Sequence, residues 1–365
     1  MAVVVADPLD PERLERMRRA ARRGGARHVV LLDPSDAWEA LRAADPPPPL
    51  VLLDATGSEA ERLVQAIRGE ARLFWVRIVA VVPSVSEDAF REAFGWGVDD
   101  VVSDTDVEAM ATRARRLADF DPSSRVPLTR GRALVAHPDE GRRRLLGRVL
   151  RGAGFDPSFA ADAQELPAAA RDASLLVIGA SLDANSDLLL KRLREASETP
   201  IVLLAGASRV RELRALAARL GQAVVGAELA PPDELLFLAN ELSCAAQAEQ
   251  RSSRRILHAA LCSYRPEGSM LPRFGLTYNV SADGVFVRTL DPPAAGDALW
   301  FEMRPWGADR AVHLRARVVW TQPPDRRGAL TPPGFAVALD LDASARDDAT
   351  RWRAGYAALL DATAA

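Results

Sequence analysis

The chain has 365 residues, is 48% hydrophobic and 27% charged, and carries a net charge of −3. That length suggests two or three soluble globular domains, and the near balance of charge gives no overall attraction to a nucleic acid polymer or an anionic membrane. Two cysteines, Cys244 and Cys262, offer neither a metal-ligand spacing nor a disulfide framework. No apolar run reaches the ~18 residues of a membrane span, and the first residues lack the pattern of a signal peptide, so the expected location is cytoplasmic.

Short apolar runs at 3–6, 28–32, 50–53, 76–82 and 100–102 read as buried strands. Helical patterns at 11–23, 37–44, 58–67, 87–96 and 107–117 alternate with them. This alternation predicts a doubly wound parallel α/β sheet over residues 1–121. Chemistry in such sheets sits beyond the carboxyl ends of the strands, where Asp7 and Asp54 fall. After a polar connector at 122–131 the pattern restarts over 131–248. Strands are expected at 133–136, 155–159, 175–178, 201–204 and 223–226, with helices at 140–152, 163–170, 188–197, 210–220 and 232–250. The second domain therefore duplicates the architecture of the first. Beyond Pro232 no glycine or proline interrupts the last of these helices before Pro266, so it reads as a continuous tether into the third segment.

From residue 251 the period changes from helical to alternating. Strands are expected at 256–264, 274–280, 285–289, 298–304, 311–321 and 334–340. In the fifth, Val312, Leu314, Ala316, Val318 and Trp320 fall on one face, and His313, Arg315 and Arg317 on the other. The Pro- and Arg-rich stretch 323–333 reads as a mobile loop. Asp342 or Ser344 can cap a closing helix with Trp352, Tyr356 and Leu359 on one side. Six short antiparallel strands and one helix predict a small barrel over 251–365.

Two motifs stand at the start of this segment: Arg251-Ser252-Ser253-Arg254-Arg255, and Asn279-Val280-Ser281-Ala282-Asp283-Gly284. Each alone is weakly specific. Their order, their separation and the strands that follow resemble the PilZ family of six-stranded antiparallel β-barrels, which bind cyclic di-GMP. The resemblance covers about 251–345. It implies ligand contacts at Arg251, Arg255, Asn279, Ser281 and Gly284, with Arg254 as a further arginine able to substitute. The residue types suit that ligand. Arginine can fork onto guanine O6 and N7, stack on the base, or pair with phosphate, and lysine cannot replace it in the first two roles. Asn279 can meet a base or sugar edge, Ser281 adds a hydroxyl, and Gly284 is expected to supply a positive φ and a close backbone approach.

The two preceding domains resemble response-regulator receivers, of flavodoxin-like order, that have lost their chemistry. Asp54 falls at the phospho-acceptor position and Asp7 at that of a magnesium-binding acid. The neighbours of Asp7 are Ala6 and Pro8, Val82-Pro83 stands where a Ser or Thr is expected, and residues 1–190 contain no lysine. Asp104 lies where a phosphate-binding cation belongs and would repel a phosphoryl group. Asp54 then reads as a solvated strand-end carboxylate, with phosphorylation or magnesium at Asp7 and Asp54 as the lesser reading. In the second domain the acceptor position is Gly179, so phosphoryl transfer through aspartate is excluded there, and His137 reads as a surface residue.

The expected function is a non-enzymatic cyclic di-GMP effector with an unidentified protein partner. The receiver-like domains would form a docking platform reoriented through helix 232–250. The four histidines, His28, His137, His258 and His313, sit in unrelated segments, which argues against an enzyme. A ligand-free interaction scaffold and a phospho-signalling protein acting through Asp54 are the alternatives, and a homodimer paired through a receiver helix face stays open.

Overall fold

The computed structural model describes residues 2–5, 10–124, 126–183, 185–228, 230–231, 233–243 and 253–364. The chain forms two compact units. One comprises Met1–Ser124, Ser252–Asp325 and Pro333–Ala365; the other comprises Arg125–Arg251 and Arg326–Pro332.

In the first unit, strands Ala2–Val5 (β1), Val29–Leu32 (β2), Leu50–Asp54 (β3), Arg77–Val82 (β4) and Asp100–Ser103 (β5) alternate with helices. These are Pro11–Arg23 (α1), Pro34–Ala43 (α2), Ser58–Gly69 (α3), Glu87–Trp96 (α4) and Val107–Arg116 (α5). Asp10, Asp33, Ser86 and Asp106 cap four of the helices through their side chains, and Pro11 and Pro34 open two of them. The strands are parallel in the order β2-β1-β3-β4-β5, the flavodoxin-like order.

The second unit repeats this plan with Arg132–Ala136 (β6), Asp156–Ala160 (β7), Leu175–Gly179 (β8), Ile201–Ala205 (β9) and Ala223–Ala227 (β10). Its helices are Glu140–Gly152 (α6), Leu166–Ala169 (α7), Ser186–Ala196 (α8), Val210–Leu220 (α9) and Glu234–Ser243 (α10). Its sheet runs β10-β9-β8-β6-β7, which is the same order read from the other edge. The expected helix 232–250 is described only as α10; residues 244–252, and with them the tether, lie outside the described residues.

The barrel belongs to the first unit. Its strands are Ile256–Leu257 (β11), Leu261–Pro266 (β12), Arg273–Val280 (β13), Gly284–Arg288 (β14), Ala298–Met303 (β15), Val312–Gln322 (β16) and Gly334–Asp340 (β17). Six of them, β12 to β17, close through the β13–β14 pairing, and β11 is added beside the end of β13. Tyr264, Val287, Phe301, Leu314, Phe335 and Val337 fill the interior, and helix Arg346–Ala364 (α11) packs Trp352 and Leu359 against it.

Three expectations need correction here. The strand expected over 256–264 is two strands. Thr277 breaks it: its hydroxyl donates to His258 O and accepts from Ala260 N at 2.9 Å. Trp320 does not share a face with Val318. A β-bulge between them shifts the register, so Val318 opposes Val337 while Trp320 opposes Ala336. The loop 323–333 is held, not loose: Arg77 Nη2 donates to Pro324 O at 2.6 Å, Gly328 N donates to Gly152 O at 2.8 Å, and Leu330 is buried.

The barrel and the first α/β domain share a buried seam. Leu276 of β13 joins the core under α3 and α4, and Leu290 joins the layer of α1 and α5. Between them Asp100, fully buried, accepts from Arg113 Nε at 2.9 Å, Thr289 Oγ1 at 3.0 Å and Leu290 N at 2.7 Å. Asp291 accepts from Arg116 Nε at 2.6 Å and Arg273 Nη1 at 3.1 Å. Arg288 lies 4.2 Å from the Phe94 ring centroid. The buried charges Asp100, Arg113 and Asp291 are paired, as burial of ions requires. Burial alone would lower the Arg113 pKa, but Asp100 and Asp291 raise it above the ordinary value.

Candidate functional site: the arm, the turn and the outer barrel face

The two motifs converge through Ser253. Its hydroxyl donates to Asp283 Oδ1 at 3.0 Å and accepts from Ala282 N at 3.2 Å, so the middle of the arm lies on the tip of the turn. Arg254 and Arg255 follow directly and lead into β11, where Leu257 pairs with Asn279 and Ile256 with Val280. Arg254 is exposed and Arg255 half-buried. Arg251 lies outside the described residues.

Inside the turn, Ser281 N donates to Gly284 O at 2.8 Å, and the Ser281 hydroxyl reaches Asp283 Oδ1 at 3.1 Å. Gly284 does not adopt a positive φ, contrary to expectation. Its role is steric: a Cβ there would lie 2.9 Å from Val337 O, closer than side chains allow, so β14 could not approach β17 at this point.

Sequence reasoning took Trp352 and Tyr356 for packing only. One turn apart on α11, they also clamp both motifs with their polar tips. Trp352 Nε1 donates to Ala282 O at 2.8 Å, and the Tyr356 hydroxyl donates to Arg254 O at 2.7 Å. Burial raises the pKa of that hydroxyl, which keeps it a donor. An aromatic residue with a polar handle every fourth position was the available signal.

A second bulge re-aims Asn279. Thr277 opposes Val287, whose side chain is in the barrel core, yet Asn279 opposes Phe286, which is not; the extra residue is Tyr278. The bulge next to Trp320 acts in the same way on β16. One register row of the outer face therefore runs Asn279, Phe286, Ala336, Trp320 across four strands. Strand spacing makes that row ~14 Å long. The next row runs Gly284, Ala338, Arg317. The centre of the face is lined by Phe286, Ala336, Gly284 and Ala338 and bounded on one side by Asn279 and Ser281, on the other by Trp320 and Arg317. Phe286 is buried between Tyr278 at 5.9 Å and Trp320 at 5.2 Å, centroid to centroid. Arg317 is fixed by a 2.9 Å bond from Nη1 to Gly296 O. Bulges that redirect side chains in this way concentrate at sites of function.

The strand-end positions at Asp54 and Gly179 are both filled from within. Asp54 is 5% exposed, not solvated as expected. Arg13 Nη1 donates to Asp54 Oδ1 at 3.0 Å and Oδ2 at 3.1 Å, and Thr56 Oγ1 donates to Oδ1 at 2.7 Å. Asp104 accepts from Arg13 Nε at 3.1 Å and Arg16 Nη2 at 2.9 Å. Burial alone would lower the Arg13 pKa, but the hydrogen bond and charge of Asp54, with Asp104 and Asp10, raise it. Asp7 lies outside the described residues.

In the second unit His137 is likewise buried, not at the surface. Its Nε2 lies 2.9 Å from Glu228 Oε1, and its Nδ1 accepts from Asp139 N at 3.0 Å. A Cβ on Gly179 would meet His137 Cδ2 at 2.4 Å, so the imidazole occupies the room of the missing aspartate. Among the described residues no group of three or more His, Cys, Asp or Glu is placed to hold a metal ion, and no helix is long and apolar enough to cross a membrane.

A search of curated proteins gives no match to the chain. Among solved structures, the inhibitor of motility MotI/DgrA of Bacillus subtilis is similar at 19% identity and a TM-score of 0.24, over 30% of this chain and 52% of that one. The chain thus spans about half the length of that protein. The PilZ domain of YcgR from Escherichia coli, solved with c-di-GMP, matches at 16% identity and a TM-score of 0.24, over 31% of this chain and 94% of that one. A putative two-component response regulator/GGDEF domain protein matches at 17% identity and a TM-score of 0.32, over 67% and 99%. The family model for the PilZ domain matches residues 249–354. The chain therefore carries a PilZ domain at 249–354, preceded by two five-stranded parallel α/β domains with the strand order of receivers.

Proposed function

We propose that the chain is a non-enzymatic cyclic di-GMP effector. The single observation that carries this reading is the convergence of the two motifs: Ser253, one residue before Arg254, is hydrogen-bonded to both Ala282 and Asp283 in the Asn279–Gly284 turn. Arg251 and Arg255, with Arg254 beside them, clamp guanine edges and phosphate. Asn279 and Ser281 supply polar contacts, and Gly284 keeps the backbone accessible. The Trp320 ring, across the same outer face, offers a stacking surface for a base. The response passes to the receiver-like domains, which dock a protein partner in the cytoplasm.

Isothermal titration of cyclic di-GMP into the full chain tests this. Saturable binding is expected. Removing two charge-assisted contacts in Arg251→Ala/Arg255→Ala should weaken it at least ~100-fold. Trp320→Ala should weaken it ~10-fold with the fold retained by circular dichroism. A well-folded wild type that takes up no ligand overturns the reading.

A further inference from the structure

We infer that the first α/β domain is part of the ligand-sensing device, and that Arg91 on α4 is a positioning residue for the arm. The inference rests on the cyclic di-GMP reading of the site and specifies how that site is regulated. Arg91 Nε donates to Ala259 O at 2.9 Å. Ala259 lies in the three-residue break between β11 and β12, so this bond anchors the strand that carries the arm onto the turn. Arg91 is itself oriented by Glu87, one helical turn earlier, at 2.8 Å.

Three further observations converge on the same break. His258 N donates to Tyr278 O at 3.1 Å, and Tyr278 is the bulged residue that turns Asn279 outward. Thr277, fully buried, holds both sides of the break through His258 O and Ala260 N. Leu276, the preceding residue of β13, is packed in the core under α4. A continuous path of packed and hydrogen-bonded groups therefore runs from α4 through Ala259, Thr277 and Tyr278 to Asn279 and the arm. The α4–β5–α5 side of the domain, which carries Arg91, Asp100 and Arg113, is the side the barrel covers. Coupling through such a path is reciprocal: if α4 sets the position of the arm, ligand on the arm must restrain α4.

The test uses the full chain, with cyclic di-GMP titrations of wild type, Arg91→Ala, Arg91→Lys and Glu87→Gln, and hydrogen exchange of residues 87–96 with and without saturating ligand. Loss of one hydrogen bond at the break should weaken binding ~5-fold in Arg91→Ala. Lys should recover part of it, and Glu87→Gln, which leaves the donor to Ala259, should bind within about twofold of wild type. Exchange in α4 should slow on ligand binding in wild type and not in Arg91→Ala. Equal affinity of wild type and Arg91→Ala, or α4 exchange indifferent to ligand, overturns the inference. A wild type that does not bind at all fails the underlying reading instead, so the two failures are distinguishable.

Discussion

The two parallel-sheet domains share one strand order, and each fills the end of its third strand by a different means. The first keeps the carboxylate, Asp54, and brings a guanidinium to it from α1. The second has Gly179 there and fills the space with the ring of His137. Charge neutralisation and volume replacement are not equivalent. A buried ion pair adds little net stability but is costly to break, because one partner is left buried and uncompensated. A packed ring leaves a cavity when it is lost and a clash when anything is added beside it, but neither change leaves a buried charge uncompensated. The first domain is also sewn to the barrel by Asp100, Arg113 and Thr289, while the second forms a unit of its own with a short piece of the later chain.

The largest effect should come from Arg13→Ala. It strands Asp54, whose side chain is 3% exposed, and leaves Asp104 with Arg16 as its remaining guanidinium partner, and should lower the stability of the first unit by about 3 kcal/mol in chemical denaturation. Arg13→Lys should recover only a fraction, since one ammonium cannot serve both carboxylates in the forked geometry. If Arg13→Ala unfolds at the wild-type midpoint, the two sites do not differ in the way described.

In the second unit the sensitive change is an addition. Gly179→Ala sets a methyl against His137 and should cost about 1–3 kcal/mol, and His137→Ala in the same chain should relieve most of it. A double-mutant cycle with no coupling would show that the ring does not fill that space.

The last effect is confined to acid and should separate the units there. Burial, and after it the charge of Arg91, lowers the His258 pKa from 6.5 to about 4. The unfolded chain then takes up a proton between those values that the folded seam refuses. Stability of the first unit should be unaffected by this group above pH 6.5 and should fall as pH drops from 6.5 to 4. Melting curves of wild type and His258→Gln over that window check the sign: the variant should have the shallower slope.

Much of this was legible in the residues. The 3.6- and 2-residue periods locate α1, α4, α6, α9 and β17 to the residue, because each buries one unbroken apolar face. The convergence of arm and turn was legible as two motifs in order. What periodicity cannot carry is a change of phase. The bulges at Tyr278 and Val319 each insert one residue, and from there onward an alternating pattern assigns every side chain to the wrong face; hence Trp320 reads as core and stands outside it. Nor can a local pattern reveal a partner 41 residues away, which is why Asp54 looked solvated and Arg13 was passed over. Gly284 read as a φ requirement because turns usually need one; the actual constraint, the carbonyl of Val337, belongs to a strand 53 residues later.

The first unit is discontinuous in the chain: Arg125–Arg251 is spliced between its parts. During synthesis the first sheet leaves the ribosome with Asp100, Arg113 and the surface around α4 uncovered. It must wait for Leu276, Thr289 and Leu290 to be made before that surface closes. At ~5–20 residues per second the delay is on the order of ten seconds or more. The second sheet, contiguous and complete by Ser243, has no such wait. The seam between the first sheet and the barrel therefore closes only after the second sheet has been made, although the residues on one side of it come first in the chain.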